Sequence, residues 1–570
     1  MFVVATAGHV DHGKSTLVHR LTGMWPDRLA EERRRGLTID LGFAWTEVDG
    51  RRIAFVDVPG HERFVPNMLA GVGPVPAVLF VVAADEGWMP QSGEHLAALD
   101  ALGVRHGLLA ITKADLADPA PAAAQALERF EGTSLGRPPV VVATELGAVR
   151  AGLVTLVDRL PPPAPDADVR LWIDRSFTVR GAGTVVTGTL AAGTLRLGDE
   201  LEHAGRRVTV RALQSLGTGE EEVTAVARVA VNLRGVDRQE ITRGDTLCTP
   251  GAWLTTGEAD VALRRPGELH RDLVLHLGSA AVPVHVRPLG TNAARLRLAR
   301  ELPLRVGDRG LLRDPGEHRI AAGVEVLDVR PPPLRRRGAA RARAEELATG
   351  RIGPPEIATA AELRAMGLPV TGLRIGAWVV DPDWWARRRE QALASVAAWS
   401  ARHEVEAGMP VEALRKDLGL PAAELVPELL SGTGLELAGG RVRRPGTALP
   451  ERVERAIRAV ERRLAERPFR APEADELAEL GLGPRELAAA VRAGRLARLA
   501  EGVVLGPDAL DRAATLLTAL PEPFTVSEAR RVLGTTRRVA VPLLEQLDAR
   551  RVTRRHPDGT RSTARSSERR

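Results

Sequence analysis

The sequence predicts a multidomain chain: an α/β P-loop domain first, two β-barrel domains next, and a tandem series of winged-helix (α+β) units last. Three observations predict it. An apolar strand runs into AGHVDHGKST (7–16); short Gly-punctuated strand runs fill the middle after PPPAPD (161–166); and Ala-, Leu- and Arg-rich helical patterning with Gly-centred hairpins fills the end after PPPLRRRG (331–338). A chain of 570 residues is too long for one core, and length alone suggests about three to five domains.

Composition narrows the class. The chain is 44% hydrophobic and 27% charged, as globular domains are, and its longest apolar run, Val75 to Ala84, is too short to span a bilayer. The start, MFVVATAGHV, lacks a basic leader and reads as a first strand, so the expected compartment is the cytoplasm, with no membrane association. A single cysteine, Cys248, excludes an internal disulfide and a cysteine zinc site. Basic residues are almost all Arg; the three Lys are Lys14, Lys113 and Lys416, and the first two fall inside binding motifs. That contrast favours sites needing a slim point charge over a planar fork.

The first motif is a P-loop. Gly8, four residues, then Gly13, Lys14 and Ser15 stand between a strand and the helical STLVHRLTG, so backbone N–H groups can curl around phosphate at a helix N-terminus. The phosphate site is assigned to Gly8, His9, Val10, Asp11, His12, Gly13, Lys14, Ser15 and Thr16, with Lys14 reaching the terminal phosphates and Ser15 ligating Mg²⁺. RRIAFVDVPGHERF (51–64) ends a strand at Asp57, placed to hold Mg²⁺ through water; Gly60 offers an N–H to a γ-phosphate, and His61 sits where a side chain orients attacking water. Between them EERRRGLTID (31–40) carries Thr38, a second hydroxyl ligand for Mg²⁺ in a switch segment.

ITKAD (111–115) reads guanine. Asp115 accepts from the N1 and 2-amino edge that adenine lacks, the Lys113 stem lies over the ring, and Thr112, where Asn is common, keeps one short hydroxyl donor and predicts a looser clamp. A last strand, PPVVVATELG, brings Ala143 and Thr144 to where a backbone amide meets the guanine oxygen. Residues 1–165 therefore read as a P-loop GTPase domain using GTP/GDP and Mg²⁺.

GHVDHGKST, RGLTID and DVPGHERF together resemble the translational GTPases of the elongation factor Tu class, and TKAD with TIDLGFAW is similar to its selenocysteine-specific, SelB-type branch. The resemblance implies that His61 is the catalytic water-positioning residue, that Val10 and Leu37 flank it as an apolar gate, and that Asp11 helps order the loop. It also implies a factor, expected to act as a monomer, that carries selenocysteyl-tRNA to the ribosome. The sequence departs from the class at Thr112 and at ATELG, where a Ser-Ala form is commoner.

VRLWIDRSFTV, GAGTVVTGTL, LRLGDEL, RRVTVRALQS and ARVAVNLRG recur at about ten-residue spacing and suggest a small closed barrel over 168–252; the texture repeats over 253–332. IDRSFTVRGAGTVVTGTL and RGVDRQEITRGDTL resemble the second domain of the class, which cradles the aminoacyl end of tRNA. A selenol is largely ionised at physiological pH and a serine hydroxyl is neutral, so a cation beside that pocket can separate them. Asp174, Arg175 and Arg234 are the residues carried over; as ordinary barrel-rim charges they need no such role.

Hairpins centred on Gly376, Gly440, Gly502 and Gly559 lie 64, 62 and 57 residues apart, and predict winged helices over 338–385, 386–446, 450–507 and 508–564. The last is the most basic, with ten Arg against Glu545, Asp548 and Asp558 between Arg530 and Arg565. Val539, Leu543 and Leu547 recur at helical spacing and leave Arg537 and Arg538 at the exposed start, although Pro542 removes a donor there. Arg551, Arg554, Arg555 and Arg561 line the wing. This is either a solvated basic face or an RNA-binding one. SelB-type factors use terminal winged helices to bind a selenocysteine-insertion hairpin in mRNA, and the resemblance favours that reading over a general elongation or initiation GTPase, or a GTP-gated regulator that binds other nucleic acid.

Overall fold

A computed structural model of the chain describes residues 1–26, 38, 40–61, 64–73, 75–181, 183–350, 352–403, 406, 408–445 and 451–563. The chain divides into two compact units, Met1–Thr371 with Ala377–Val379 and Gly372–Gly376 with Val380–Arg570, so the division falls inside the first predicted winged helix.

The first unit opens with a six-stranded sheet in the order β2-β3-β1-β4-β5-β6, formed by β1 (Phe2–Ala7), β2 (Gly42–Val48), β3 (Arg51–Asp57), β4 (Ala77–Ala83), β5 (His106–Thr112) and β6 (Val140–Val142). All pairs are parallel except the edge hairpin β2–β3. AVLFVVA and HGLLAIT are apolar without alternation because helices cover both faces of the sheet. The covering helices are α1 (Lys14–Thr22), α2 (Val65–Val72), α3 (Pro90–Leu102), α4 (Pro119–Phe130) and α5 (Leu146–Asp158). One face packs Val3, Val56, Phe80 and Leu99 with Phe130; the other packs Val4, Leu17, Phe55, Leu108 and Leu153. The loops at the carboxyl ends of these strands, where open α/β sheets bind ligands, are the loops that hold the sequence motifs.

In the first β domain, Glu200–His203 pairs with both Thr246–Cys248 and Arg206–Ser215, and so closes the sheet on itself. The second is a closed barrel of six strands between Leu254 and Asp328. Alternation in AAVPVHVRP, buried at every second residue, fits a strand with one face in the barrel interior. On this barrel docks the helix Ala339–Leu347. Its Arg343 donates to Asp260 at 2.7 Å and to Asp328, while Arg295 holds Asp260 by two bonds of 2.7 and 3.0 Å. Asp260 is wholly buried and both arginines nearly so, so each charge exists there only because the others do.

In the second unit the helix Pro382–Arg402 is capped by Asp381, whose carboxylate accepts from Trp384 N at 2.7 Å. Hairpins turn at Gly440, Gly502 and Gly559. The segments 453–505 and 509–547 share one core, in which Ile457, Val460 and Leu505 pack with Phe524, Leu543 and Leu547. Pro542 lies inside the helix Arg537–Ala549, which begins at Arg537 all the same. Among the described residues no helix is long and apolar enough to cross a membrane.

Replacing Asp260 by Ala leaves Arg295 and Arg343 buried beside no counter-ion at that position. Urea unfolding of Asp260→Ala is expected to show a loss of about 3–5 kcal/mol, whereas Arg341→Ala on the exposed side of the same helix stays within about 0.5 kcal/mol.

Candidate functional site: the nucleotide cleft

Gly8 has φ 129° and a Cβ there would stand 2.1 Å from the Val81 carbonyl oxygen, so the loop can pass β4 only as glycine. Its N–H donates to His95 Nδ1 at 3.0 Å, and Val10 N donates to Gln91 Oε1 at 3.1 Å; both acceptors stand on α3. The neutral His95 ring therefore carries its proton on Nε2. Gly13, φ 82°, starts α1, and Lys14 behind it is buried, its ammonium donating to the carbonyls of Gly8 (3.1 Å) and His9 (2.7 Å). Asp11 on the loop and Thr16 in the first turn of α1 are exposed.

The three residues expected to hold a metal come together. Ser15 Oγ donates to Asp57 Oδ2 at 2.6 Å and lies 3.0 Å from Thr38 Oγ1. Asp57 is wholly buried, and its other oxygen accepts from Thr6 Oγ1 at 2.7 Å, which in turn accepts from Val58 N. Thr6 escaped the sequence reading because a single Thr in an apolar strand carries no motif. Two hydroxyls and a carboxylate form a hard oxygen donor set that suits Mg²⁺. Gly60 lies against this group: a Cβ there would stand 2.6 Å from both Lys14 Nζ and Val10 N. His61 is half-buried, its ring 5.9 Å from that of Phe64. Val10 is half-buried in the loop; Leu37, expected to face it as a gate, lies outside the described residues.

The base loop is arranged differently from its expected use. Thr112 is buried and its hydroxyl donates to the His12 carbonyl at 2.6 Å, with its methyl 3.8 Å from where a Gly13 Cβ would be. Thr112 thus ties the base loop to the P-loop, and its one hydroxyl donor is used there. Lys113, φ 53°, pairs with Asp85 at 3.3 Å and Glu86 at 3.6 Å, and Asp115 is exposed at the cleft. Ala143 is a correction: its amide is spent on the Ile111 carbonyl at 2.8 Å, which extends the β5–β6 ladder and leaves only Thr144, which is exposed, to offer an N–H to the base.

The barrel residues also separate. Asp174 is buried and holds Arg228 through two guanidinium nitrogens, with Thr187 Oγ1 donating at 2.7 Å. Arg175 donates to Asp40 (3.2 Å) and to the Leu41 carbonyl (3.0 Å). Arg234 is exposed, six residues along the strand Ala227–Arg234 from Arg228, hence about 20 Å away. The cation beside Arg175 is Arg228, which the sequence reading missed. Both line a cavity of about 300 Å³ with Phe43 and Phe177, and the Arg228 guanidinium lies 4.1 Å from the Phe43 ring centre.

In the last winged helix Arg537, Arg551, Arg554 and Arg555 are exposed, and Arg538 donates to the Pro472 carbonyl at 2.8 Å and pairs with Glu473 at 3.1 Å. Arg561 is the exception to the wing reading. It is 3% exposed, pairs with Asp548 at 2.9 Å, and exchanges backbone bonds with Phe524, so it holds the wing to the last helix.

Residues 1–242 match the family model described as the elongation factor Tu GTP binding domain, and 515–561 that described as elongation factor SelB, winged helix. Over 456 residues the chain is 36% identical to the selenocysteine-specific elongation factor of Escherichia coli (strain K12), covering 74% of this chain and 73% of that one. The chain belongs to the selenocysteine-specific elongation factors. It is a translational GTPase. A second member of the family, from Desulfomicrobium baculatum, is 38% identical over 402 residues, which cover 65% of this chain and 63% of that one. The crystal structure of a bacterial selenocysteine-specific elongation factor shares the fold at a TM-score of 0.73, with 24% identity and 99% of both chains covered.

Two expectations follow. Thr112→Val keeps the methyl and removes the donor, leaving the His12 carbonyl unsatisfied; binding of a fluorescent GDP analogue should weaken about 5- to 30-fold, from a cost of roughly 1–2 kcal/mol. Burial lowers His12 to about 4 and His95 to about 3 from the ordinary 6.5. A depressed histidine contributes stability that is full above the unfolded value and lost as pH falls below it. Urea unfolding should therefore show stability falling from pH 6.5 toward pH 4 by up to about 1.4 kcal/mol per pH unit for each of the two, and His95→Gln should flatten that slope.

Proposed function

We propose that this factor delivers selenocysteyl-tRNA to the ribosome at UGA codons while held to a selenocysteine-insertion hairpin in the mRNA through its last winged helix. The observation that carries the reading is the cavity between the nucleotide domain and the first barrel, where Arg175 and Arg228 stand with two aromatic rings. A selenolate entering there meets two cations, whereas the neutral hydroxyl of a seryl group gains little from them. The family name of the relatives, selenocysteine-specific, agrees with that chemistry.

The GTP chemistry follows from the cleft. Loop amides between Gly8 and Gly13, other than those of Gly8 and Val10 that donate to His95 and Gln91, receive the phosphates together with Lys14; Asp115 and the Thr144 amide read guanine, and the Lys113 stem covers the ring. Ser15, Thr38 and Asp57 are the residues to hold Mg²⁺, which when bound neutralises charge on the phosphate oxygens. Gly60 offers its amide on the γ-phosphate side, and a side chain at that position would collide with the loop. His61 orients the water that attacks. Arg537, Arg551, Arg554 and Arg555 present cations to the RNA backbone. Tethering raises the local concentration of the factor at one codon toward the millimolar range, which helps it compete there with termination in the cytoplasm.

Equilibrium binding of selenocysteyl-tRNA and seryl-tRNA to the GTP form tests the reading. A preference of at least about tenfold for the former is expected, reduced in Arg228→Gln with GDP binding unchanged; equal binding of the two tRNAs would sink the proposal. For the RNA arm, Arg554→Ala with Arg555→Ala should weaken binding of the full chain to an RNA hairpin and lower the slope of log affinity against log salt by about 1–2. A preference for DNA duplex over RNA hairpins would sink that half.

A further inference from the structure

Arg20 stands in the last turn of α1, on the exposed side of the helix that follows the P-loop, and reaches across 123 residues of sequence to the loop after β6. Its Nη1 donates to the Ala143 carbonyl at 3.1 Å and its Nη2 to the Thr144 carbonyl at 3.5 Å. The rest of this turn is already fixed: Ala143 N donates to the Ile111 carbonyl at 2.8 Å and Glu145 N to the Val142 carbonyl at 3.1 Å. Thr144 N, between them, donates to no backbone carbonyl among the described residues.

The Ala143 carbonyl and the Thr144 N–H belong to one planar trans peptide, so they point in opposite directions. Holding the oxygen against α1 aims the hydrogen away from α1. The β5–β6 pairing sets Ala143 beside Ile111, and Thr144 therefore flanks the loop 112–115 that reads the base. A cation on the carbonyl also polarises the peptide and strengthens its N–H as a donor.

We infer that Arg20 is a positioning residue for guanine: it orients and polarises the Thr144 amide that meets the oxygen at position 6 of the base, and so couples the P-loop helix to base recognition. The inference rests on the reading of Thr144 as that amide. It competes with a plainer role, in which a basic residue in the last turn only stabilises α1 against its own dipole.

The test uses GDP and 6-thio-GDP, which keeps the N1–H and 2-amino groups read by Asp115 but replaces the oxygen at position 6 by a weakly accepting sulfur. Affinities of both are measured for the full chain, Arg20→Ala and Arg20→Lys. Wild type should prefer GDP; Arg20→Ala should weaken GDP binding about tenfold and 6-thio-GDP binding less than about twofold, and Arg20→Lys, with one cationic donor, should fall between. Equal weakening of both nucleotides by Arg20→Ala, or weakening of neither, overturns the role of Arg20. A wild type that binds both nucleotides equally overturns the Thr144 reading itself, and the inference with it.

Discussion

The buried carboxylate of Asp57 is the constraint on which the nucleotide cleft depends. It has no solvent contact, so its oxygens must be met by donors, and two of these come from different elements: Thr6 at the end of β1 and Ser15 at the start of α1. Thr6 also accepts from Val58 N, so the chain leaving β3 toward Gly60 is aimed by the same contact. One side chain thus sets the relative positions of two strands, the P-loop helix and the loop that carries Gly60 and His61. Thr38 meets the group through the Ser15 hydroxyl, at 3.0 Å.

Two residues beyond Thr38, Asp40 takes Arg175 at 3.2 Å and Arg243 at 3.4 Å from the first barrel, and Arg243 also donates to Asn67 on α2 at 2.9 Å. The barrel therefore touches the segment that follows each of the two nucleotide-facing loops. These pairs are about one-third exposed, and such pairs are worth about 0.2–1 kcal/mol each, so the contact can break and reform at small cost. The joint between the second barrel and the helix Ala339–Leu347 is of the opposite kind. There Asp260, Arg295 and Arg343 are out of water, and separating them would leave a buried charge without its partner. The two sets of ion pairs thus differ in burial, and with it in what breaking them costs.

What the sequence made legible was chemistry held within one contiguous loop. Gly8, Gly13, Lys14 and Ser15 have a spacing that only a phosphate loop needs, and Asp57 and Thr38 followed from their order along the chain. What it hid depends on register and on distant partners. Arg228 and Arg234 lie an even number of residues apart on one strand, so alternation puts them on the same face, and only the register through the intervening strand Gly183–Leu190 to the strand carrying Asp174 tells which of them reaches it. Arg561 reads like Arg554 and Arg555 until the last helix brings Asp548 against it. Ala143 looked available because a strand end cannot be fixed to one residue from pattern alone, and its amide proved to be the last rung of the ladder.

Thr112 shows how a departure from a motif can keep its function in part. The Asn that is common at this position has an amide with two donors and one acceptor, enough to hold a neighbouring loop and still reach toward a base. A hydroxyl has one donor, and here it is used on the His12 carbonyl, while the methyl fills the space beside Gly13. The tie between base loop and phosphate loop therefore survives the substitution, and a second reach toward the ring does not. On the proposed reading, guanine preference is then left to groups that adenine cannot satisfy, the Asp115 carboxylate and the Thr144 amide. On the role inferred for Arg20, that amide's direction is set not by Thr144 itself but by the guanidinium that holds the Ala143 carbonyl on the far side of its peptide. Changing Thr112 should accordingly alter how tightly nucleotide is held more than which base is chosen, because the residue acts on the loop that carries the phosphates and not on the base edge.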